Sequence, residues 1–221
     1  MPDLDAFYSE SQRKLQRRHQ TEDLANTLFG AAVSGELSEQ QSAFIESREF
    51  FFLSTVNGNG EPTVSYKGGA AGFVKVENAN RLVFPSYDGN GMFLSLGNIA
   101  EAGKIGMLFI DFETPNRLRV QGTARIADRE PDESEFPGAQ LLIEVDVQSV
   151  FVNCARYIHK HSRAETSPYT PTESGDQPIP SWKRIDGFQS SLPENDRVRV
   201  ATEGGTISAE DYGEKLRNGN S

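Results

Sequence analysis

Between residues 49 and 153 the chain is a succession of short apolar runs separated by turn signals. Residues 50–56 form an apolar β-type run, Asn57-Gly58-Asn59-Gly60 is a strong turn signal, and residues 62–67 follow as the hairpin partner. Residues 92–100 predict one inserted helix, which Gly103 ends. Further strands are expected at 73–76, 81–84, 105–112, 117–127 and 141–151. This pattern predicts a mainly β (α+β) fold with a closed or partly closed antiparallel β-barrel.

The segments on either side of this region have a different character. Residues 1–48 predict an N-terminal helical extension, in which Thr21 and Ser38 precede helical runs as capping residues do. Its basic stretch, residues 13–18, is interpreted as a solvated helix face rather than a phosphate patch, because acidic residues interleave nearby. Residues 154–221 are interrupted by prolines and predict an extended C-terminal arm that ends in a disordered tail. The predicted domains are therefore 1–48, 49–153 and 154–221.

The composition of the chain limits the kinds of partner that the protein is expected to bind and the cellular compartment in which it is expected to work. The formal charge of −10 argues against a nucleic-acid partner, and no run is long enough to predict a membrane span. The first residues lack the order of a secretory signal. The single cysteine, Cys154, excludes an internal disulfide and a thiolate zinc cluster, so a reducing, cytoplasmic location is expected.

Three polar features are candidates for binding. Gly89-Asn-Gly91 lies where a strand gives way to a helix, so its amides suit a phosphate, although an ordinary turn explains it as well. Lys67 precedes two glycines at a strand end, where a charge and a flat ring can approach the backbone. Arg117 and Arg119 share one face of a strand, and ion pairs with acidic residues on adjacent strands are favoured over a phosphate.

Other reactive side chains receive plainer interpretations. His159 and His161 would share a face in a strand and could hold a metal, but no third ligand stands out. A polar surface position is preferred for both, and no metal site is predicted. Cys154 is interpreted as a half-buried structural cysteine rather than a nucleophile.

The order of these pieces resembles the pyridoxamine 5′-phosphate oxidase-like flavin-binding split barrels. The resemblance covers about residues 40–185, and Asn153-Cys-Ala-Arg-Tyr-Ile-His159 is similar to a bacterial branch described as flavin-nucleotide-binding. The pieces are a Phe-rich strand, an Asn-Gly turn, Pro62-Thr-Val-Ser-Tyr-Lys67-Gly, Leu82-Val-Phe-Pro-Ser-Tyr-Asp-Gly-Asn90-Gly91, a helix with Leu96-Gly-Asn98-Ile99, and Arg117-Leu-Arg-Val-Gln-Gly122.

The resemblance implies a six-stranded split β-barrel and a homodimer with FMN bound at the subunit interface. One stretch, Thr63, Val64, Ser65, Tyr66 and Lys67, would line the flavin ring, largely through backbone groups, with Lys67 nearest the substrate. The other residues that match cofactor-contacting positions are Phe84, Pro85, Asn90, Gly91 and Arg117. Asn90 and Gly91 match the phosphate-binding pair, and Arg117 matches a glutamine that contacts the ring or the ribityl chain.

Departures from the family pattern bear on the reaction. The oxidase has arginine in place of Thr63 and Arg-Lys in place of Asn90-Gly91, so three phosphate-binding charges are missing. Since a charge-assisted contact contributes about 1.5–3 kcal/mol, other groups must replace them. Arg117, Arg119 and the amides near Gly91 are the candidates. The C-terminal substrate residues of the oxidase are not recognisable, so vitamin B6 oxidation is not the favoured reaction.

Three functions remain open on this basis. The first is an FMN-dependent oxidoreductase that acts on an unknown small-molecule substrate or on NAD(P)H. Its flavin carries the electron chemistry, so no catalytic side chain is identified, and Lys67 or Arg117 would stabilise the reduced ring. The second is a flavin-binding carrier, sensor or stress protein without catalysis. The third is a barrel that binds haem, a deazaflavin or nothing.

Overall fold

The structure is a computed structural model that describes residues 2–219. Contacts divide the chain into two compact units, one that extends to Ala164 and one that starts at Glu165. The sequence places the start of the C-terminal region earlier, at residue 154. The domain assignment at 1–48, 49–153 and 154–221 stays a prediction.

The N-terminal extension is helical, as predicted. Its helices are α1 (Leu4–Phe7), α2 (Glu10–Arg18), α3 (Glu22–Ala32) and α4 (Glu39–Glu46). Ser38 caps α4 through a capping box with Gln41, whereas Thr21 stands at the N-cap of α3 without a side-chain cap bond. On α2, Arg17 pairs with Glu10 (2.6 Å) and Glu22 (3.5 Å), all of them solvent-accessible. The basic stretch is thus a solvated face, as expected.

Eight antiparallel strands form one sheet. They are β1 (Val33–Ser34), β2 (Phe50–Val56), β3 (Pro62–Gly68), β4 (Lys75–Asn78), β5 (Arg81–Ser86), β6 (Lys104–Asp111), β7 (Asn116–Ile126) and β8 (Leu141–Val152). Their order is β3-β2-β6-β7-β8-β5-β4, and β1 pairs with the end of β8 beside Val150 and Phe151. The predicted β2–β3 hairpin and the predicted β4–β5 pairing are confirmed.

The sheet curls on itself around an aromatic core. Phe51 on β2 is fully buried, and its ring contacts Phe84 on β5 at 5.1 Å and Phe109 on β6 at 5.2 Å. Because β2 and β5 are separated by three strands along the sheet, this contact requires the sheet to bend round. The end strands β3 and β4 do not pair with each other, so the barrel is split. The mainly β split-barrel prediction is confirmed, with eight strands in place of the six implied by the resemblance.

The inserted helix is α5 (Leu94–Ala102). It buries Leu96 and Ile99 in the barrel core and ends at Gly103, whose φ of 65° suits glycine. It begins two residues later than predicted, because Phe93 adopts a left-handed conformation (φ 49°) at the N-cap. At the other end, a Glu101 carboxylate oxygen accepts the Gly58 amide at 2.8 Å, which fixes the predicted hairpin turn.

The C-terminal unit is more regular than predicted. It contains two short 3₁₀ turns (Ser181–Arg184 and Asp186–Ser191) and the helices α6 (Glu194–Thr202) and α7 (Ala209–Arg217). Ile179, Leu192 and Val200 form a small core. The extended arm is therefore wrong for residues 181–217, because proline is tolerated at a helix start, where Pro193 stands, and Ser208 caps α7. The predicted tail falls in part on residues 220 and 221, which lie outside the described residues.

None of the helices in residues 2–219 is both long enough and apolar enough to cross a membrane.

Candidate functional site

Strand β3 presents two chemically different faces. Thr63, Ser65 and Lys67 lie on the face that turns inward, since they pair with the buried residues of β2. Val64 and Tyr66 alternate with them and lie 69% and 61% exposed on the outer face. The predicted flavin-lining stretch therefore divides between the interior of the barrel and its outer surface.

Side-chain hydrogen bonds fasten α5 to the inner face of β3. The buried Thr55 hydroxyl lies 2.9 Å from the Thr63 hydroxyl, and the Asn98 amide donates to both, at 2.9 Å and 3.4 Å. Nearer the start of the helix, the Ser65 and Ser95 hydroxyls are 3.1 Å apart. We call these groups on β3 and α5, together with Lys67, the next inward-facing residue of β3 after Ser65, the β3–α5 junction. Ser95 and Asn98 belong to it, although the sequence did not single out their side chains.

Lys67 is a half-buried cation with no balancing charge. Its side chain makes no hydrogen bond or ion pair with any residue in the range 2–219. Burial lowers the pKa of its ammonium group, because the charged form is poorly hydrated there. A half-buried ammonium group of this kind is stabilised by an anion, so Lys67 is the strongest single feature of the junction.

The two glycines after Lys67 serve the packing of the chain itself. A Cβ atom on Gly68 would lie 2.7 Å from the Tyr66 ring, and one on Gly69 would lie 2.6 Å from the Phe73 ring. Flat rings therefore do approach the backbone closely at these two glycines, but they are the Tyr66 and Phe73 rings of this chain and not a ligand.

Strand β5 and the loop after it supply the other predicted residues. Phe84 and Pro85 are buried, and the Phe84 ring packs on Phe51, so only their main chain is left for a ligand. The Asn90 side chain accepts the Met92 amide at 3.0 Å, and Gly91 has φ 75°, which together make an ordinary turn. Helix α5 then starts without a side-chain cap bond, which leaves its first amides for a ligand.

Tyr87 is a polar group that the sequence interpretation did not single out. It lies in the loop between β5 and α5 and packs on the main core, and burial raises the pKa of its phenol to about 12. Tyr87 therefore remains a neutral donor at any ordinary pH. The sequence did contain a signal for Tyr87, since it lies three residues before Asn90 in the motif that resembles the flavin-binding family.

Arg117 lies away from this junction. Its partner on β6 is Ile110, whereas the buried, inward positions of the same strand are held by Leu118 and Val120. Arg117 is thus on the outer face, three strands from β3. Its Nη2 donates to the Cys154 carbonyl at 2.8 Å, while its Nε is buried without a partner.

The predicted ion pairs of Arg117 and Arg119 are wrong for residues 2–219. Arg119 lies over the Phe151 ring at 5.9 Å, and neither arginine pairs with a carboxylate. The acidic side chains of β8 pair elsewhere: Asp146 contacts both Arg81 and Arg125. This follows from register, because Arg119 is opposite Phe151 on β8 and Arg125 is opposite Glu144.

The outer face near Arg117 is aromatic. The Phe50 ring stacks on Tyr66 at 5.3 Å and on Phe112 at 5.9 Å, and Phe52 meets Tyr66 edge-on. His161 places its ring edge-on against Phe112 at 5.4 Å. Because Val64 and Tyr66 are also largely exposed, this face of the sheet is an apolar surface patch. Patches of this kind are typical of sites that bind another protein surface or a ligand.

The remaining candidates are surface groups. His159 and His161 are both exposed, which confirms their predicted surface position. Cys154 is also exposed, so the half-buried interpretation is wrong: it lies just beyond the end of β8, outside the core. Within the described range, no group of three or more His, Cys, Asp or Glu side chains is arranged to hold a metal ion.

Comparison with known families agrees with the fold. Residues 37–154, more than half of the chain, match the family described as pyridoxamine 5′-phosphate oxidase. The chain therefore belongs to the pyridoxamine 5′-phosphate oxidase family. No curated protein sequence matches it.

Several solved structures are similar in fold. A putative pyridoxamine 5′-phosphate oxidase from Lactobacillus delbrueckii has 23% identity and a TM-score of 0.42, over 53% of this chain and 95% of that one. The haem storage protein HutZ from Vibrio cholerae has 19% identity and a TM-score of 0.40, over 52% and 94%. An FMN-binding protein from Syntrophomonas wolfei has 13% identity and a TM-score of 0.38, over 64% and 96%. Likenesses this distant do not indicate what this chain binds.

Proposed function

We propose that this protein binds FMN between two copies of itself and uses the flavin in an oxidoreduction. The observation that carries the proposal is Lys67, a half-buried cation that has no ion pair among residues 2–219, at the β3–α5 junction of a barrel of this family. FMN brings a phosphate and a ring that becomes anionic on reduction, and either charge suits such a group.

The residues at the junction fit a phosphate, although with fewer charges than the oxidase has. Lys67 offers a cation, and the first turn of α5 offers amides that no side chain caps. The Ser65 hydroxyl on β3 and the Ser95 hydroxyl in the first turn of α5, 3.1 Å apart, supply further donors. Asn90 and Gly91 add no charge, so the binding must draw a second cation from elsewhere.

Arg117 can supply that cation only from the partner protomer. Three strand spacings separate β3 from β7, about 14 Å, and Arg117 lies on the opposite face of the sheet from Lys67. A single ligand cannot reach both within one barrel. Because β3 is an edge strand, two barrels that meet through the apolar outer face around Phe50 and Tyr66 would let Arg117 of one protomer approach the junction of the other past that edge.

The chain's own residues would then position the flavin and exclude water. When bound, FMN supplies the acceptor or donor of the hydride, so no acid or base of the protein has to act on the substrate. Lys67 would hold positive charge near the ring or the phosphate. Exposed apolar residues at the start of α5, Met92, Phe93 and Leu94, would shield the site from solvent. The substrate is a small molecule or NAD(P)H.

Freshly purified protein is expected to be yellow and to show the visible absorbance of oxidised flavin. Added FMN is expected to raise the melting temperature, since a ligand at about 100 times its Kd stabilises the folded state by about 2.7 kcal/mol. Bleaching by NADH or NADPH with turnover would support an oxidoreductase. Flavin binding without turnover would favour the carrier or sensor alternative, which the missing phosphate charges also favour. A colourless protein whose melting curve FMN does not move would contradict both.

A further inference from the structure

The segment that follows the barrel is tied to the outer face at separate points. This post-barrel segment, residues 153–163, has no regular helix or strand after Asn153. Arg117 donates to its Cys154 carbonyl at 2.8 Å, the His161 amide donates to the Phe112 carbonyl at 3.2 Å, and Arg163 pairs with Glu49. It therefore runs from the end of β8, past the β6–β7 turn, to the start of β2.

Few buried contacts support this segment. Tyr157, His159, Lys160 and His161 are exposed, and the segment has one internal backbone hydrogen bond, from Ile158 to Ala155. Segments of this kind open locally at low free-energy cost. Its attachment thus depends on a few contacts, which are the hydrogen bonds of its main chain to Arg117, Phe112 and Glu113 and the Arg163–Glu49 ion pair.

Of the two nitrogens on one edge of the Arg117 guanidinium, only one has a hydrogen-bond acceptor among the described residues. Nε and Nη2 form the edge of the guanidinium that binds two oxygens of a phosphate or carboxylate side by side. Here Nη2 has one neutral carbonyl acceptor, and Nε is buried with no acceptor from the part of the chain that the structure describes. The neighbouring Asn153 Oδ1 is also buried, and it has no partner within residues 2–219. An anion with two oxygens would satisfy both nitrogens with charged acceptors, but it can reach Nε only if a covering element moves.

We propose that Arg117 is a switch between the post-barrel segment and an anionic ligand. Without the anion, Arg117 holds Cys154 and keeps the segment attached. When a phosphate takes the Nε–Nη2 edge, the Cys154 carbonyl is released and the segment opens. This rests on the proposed function, in which the phosphate is that of FMN, and it adds that cofactor binding controls the mobility of the residues that lead into the C-terminal unit.

Hydrogen–deuterium exchange across residues 153–163 tests the switch. FMN is expected to speed exchange of the His161 amide about ten- to hundredfold, the effect of losing one charge-assisted hydrogen bond, whereas riboflavin, which lacks the phosphate, leaves it unchanged. Arg117→Ala is expected to exchange fast with or without FMN. Arg156→Ala, which removes a charge from the segment but none of the contacts named above, serves as the matched control and should behave as wild type.

The outcomes separate the switch from the flavin proposal. Unchanged exchange in Arg117→Ala would overturn the switch, as would FMN binding without faster exchange. Faster exchange with inorganic phosphate, in protein that shows no flavin binding by fluorescence, would uphold the switch and remove FMN as its ligand.

Discussion

Phe51→Ala is expected to lower the free energy of unfolding by about 3–5 kcal/mol. The Phe51 side chain is fully buried and touches the rings of Phe73, Phe84 and Phe109, which come from three other parts of the barrel. Alanine would leave a cavity where β2 and β5 meet. Since a domain of this size is stabilised by about 5–15 kcal/mol in total, the variant should be close to unfolding at moderate temperature.

Urea unfolding followed by far-UV circular dichroism measures this loss in the barrel. The single tryptophan, Trp182, belongs to the C-terminal unit, so its fluorescence follows that unit instead. Val152→Ala is the matched control, because Val152 lies on β8 of the same barrel, is 49% exposed, and its truncation should cost well under 1 kcal/mol. Equal midpoints for the two variants would contradict a core in which the sheet closes through Phe51.

Lys67→Met is expected to weaken FMN binding about ten- to hundredfold, as the loss of one charge-assisted contact predicts. Methionine keeps the length and the apolar stem, so the half-buried position stays filled. Because the ammonium has no ion pair among the described residues and burial already lowers its pKa, its removal should leave the melting temperature of the ligand-free protein unchanged or raised. Quenching of FMN fluorescence gives the affinity.

Lys104→Met is the control for Lys67, since Lys104 is an exposed lysine at the start of β6. It should bind FMN as the wild type does. If Lys67→Met also keeps wild-type affinity, then the lysine neither contacts the phosphate nor the ring, and the proposed site loses its main support.

Local signals in the sequence predicted the barrel strands well. The β2–β3 hairpin was predicted because Asn57-Gly58-Asn59-Gly60 has few ways to fold between two β-type runs, and β2 was predicted at its observed limits. The alternation of Leu118 and Val120 with Arg117 and Arg119 likewise gave the correct inner and outer faces of β7.

Features that depend on long-range contacts were not predictable in this way. Strand β1 has two residues, too few for a period, and exists because β8 extends past β5 and offers a free edge. The bulge of β8 at Gln148, opposite Gln121 and Gly122 of β7, is another case: a Cβ on Gly122 would lie 2.2 Å from the Asp146 carbonyl oxygen. The sequence around Gly122 does not indicate that the Asp146 carbonyl lies there, although this close contact is the reason that position 122 requires glycine.

The sequence could single out individual residues of the candidate site, but it could not show how their side chains are arranged in space. The sequence singled out Lys67 by its place before two glycines, but only the structure shows that it is half-buried and has no ion pair with any described residue. It grouped Lys67 with Arg117, and the strand order shows that these two side chains belong to opposite faces. The cofactor-binding roles of these residues, and of Thr63 to Tyr66, Phe84, Pro85, Asn90 and Gly91, stay predictions.

Mixed dimers test most directly whether the flavin site is shared between protomers. Lys67→Met and Arg117→Ala chains, the latter expected to weaken FMN binding at least about tenfold as a homodimer, would be co-expressed with different tags and purified through both. If each site takes Lys67 from one protomer and Arg117 from the other, a mixed dimer has one intact site, and half of its sites should bind FMN with wild-type affinity. Uniformly weak binding at every site, or failure of the wild-type chain to dimerise, would contradict the shared site.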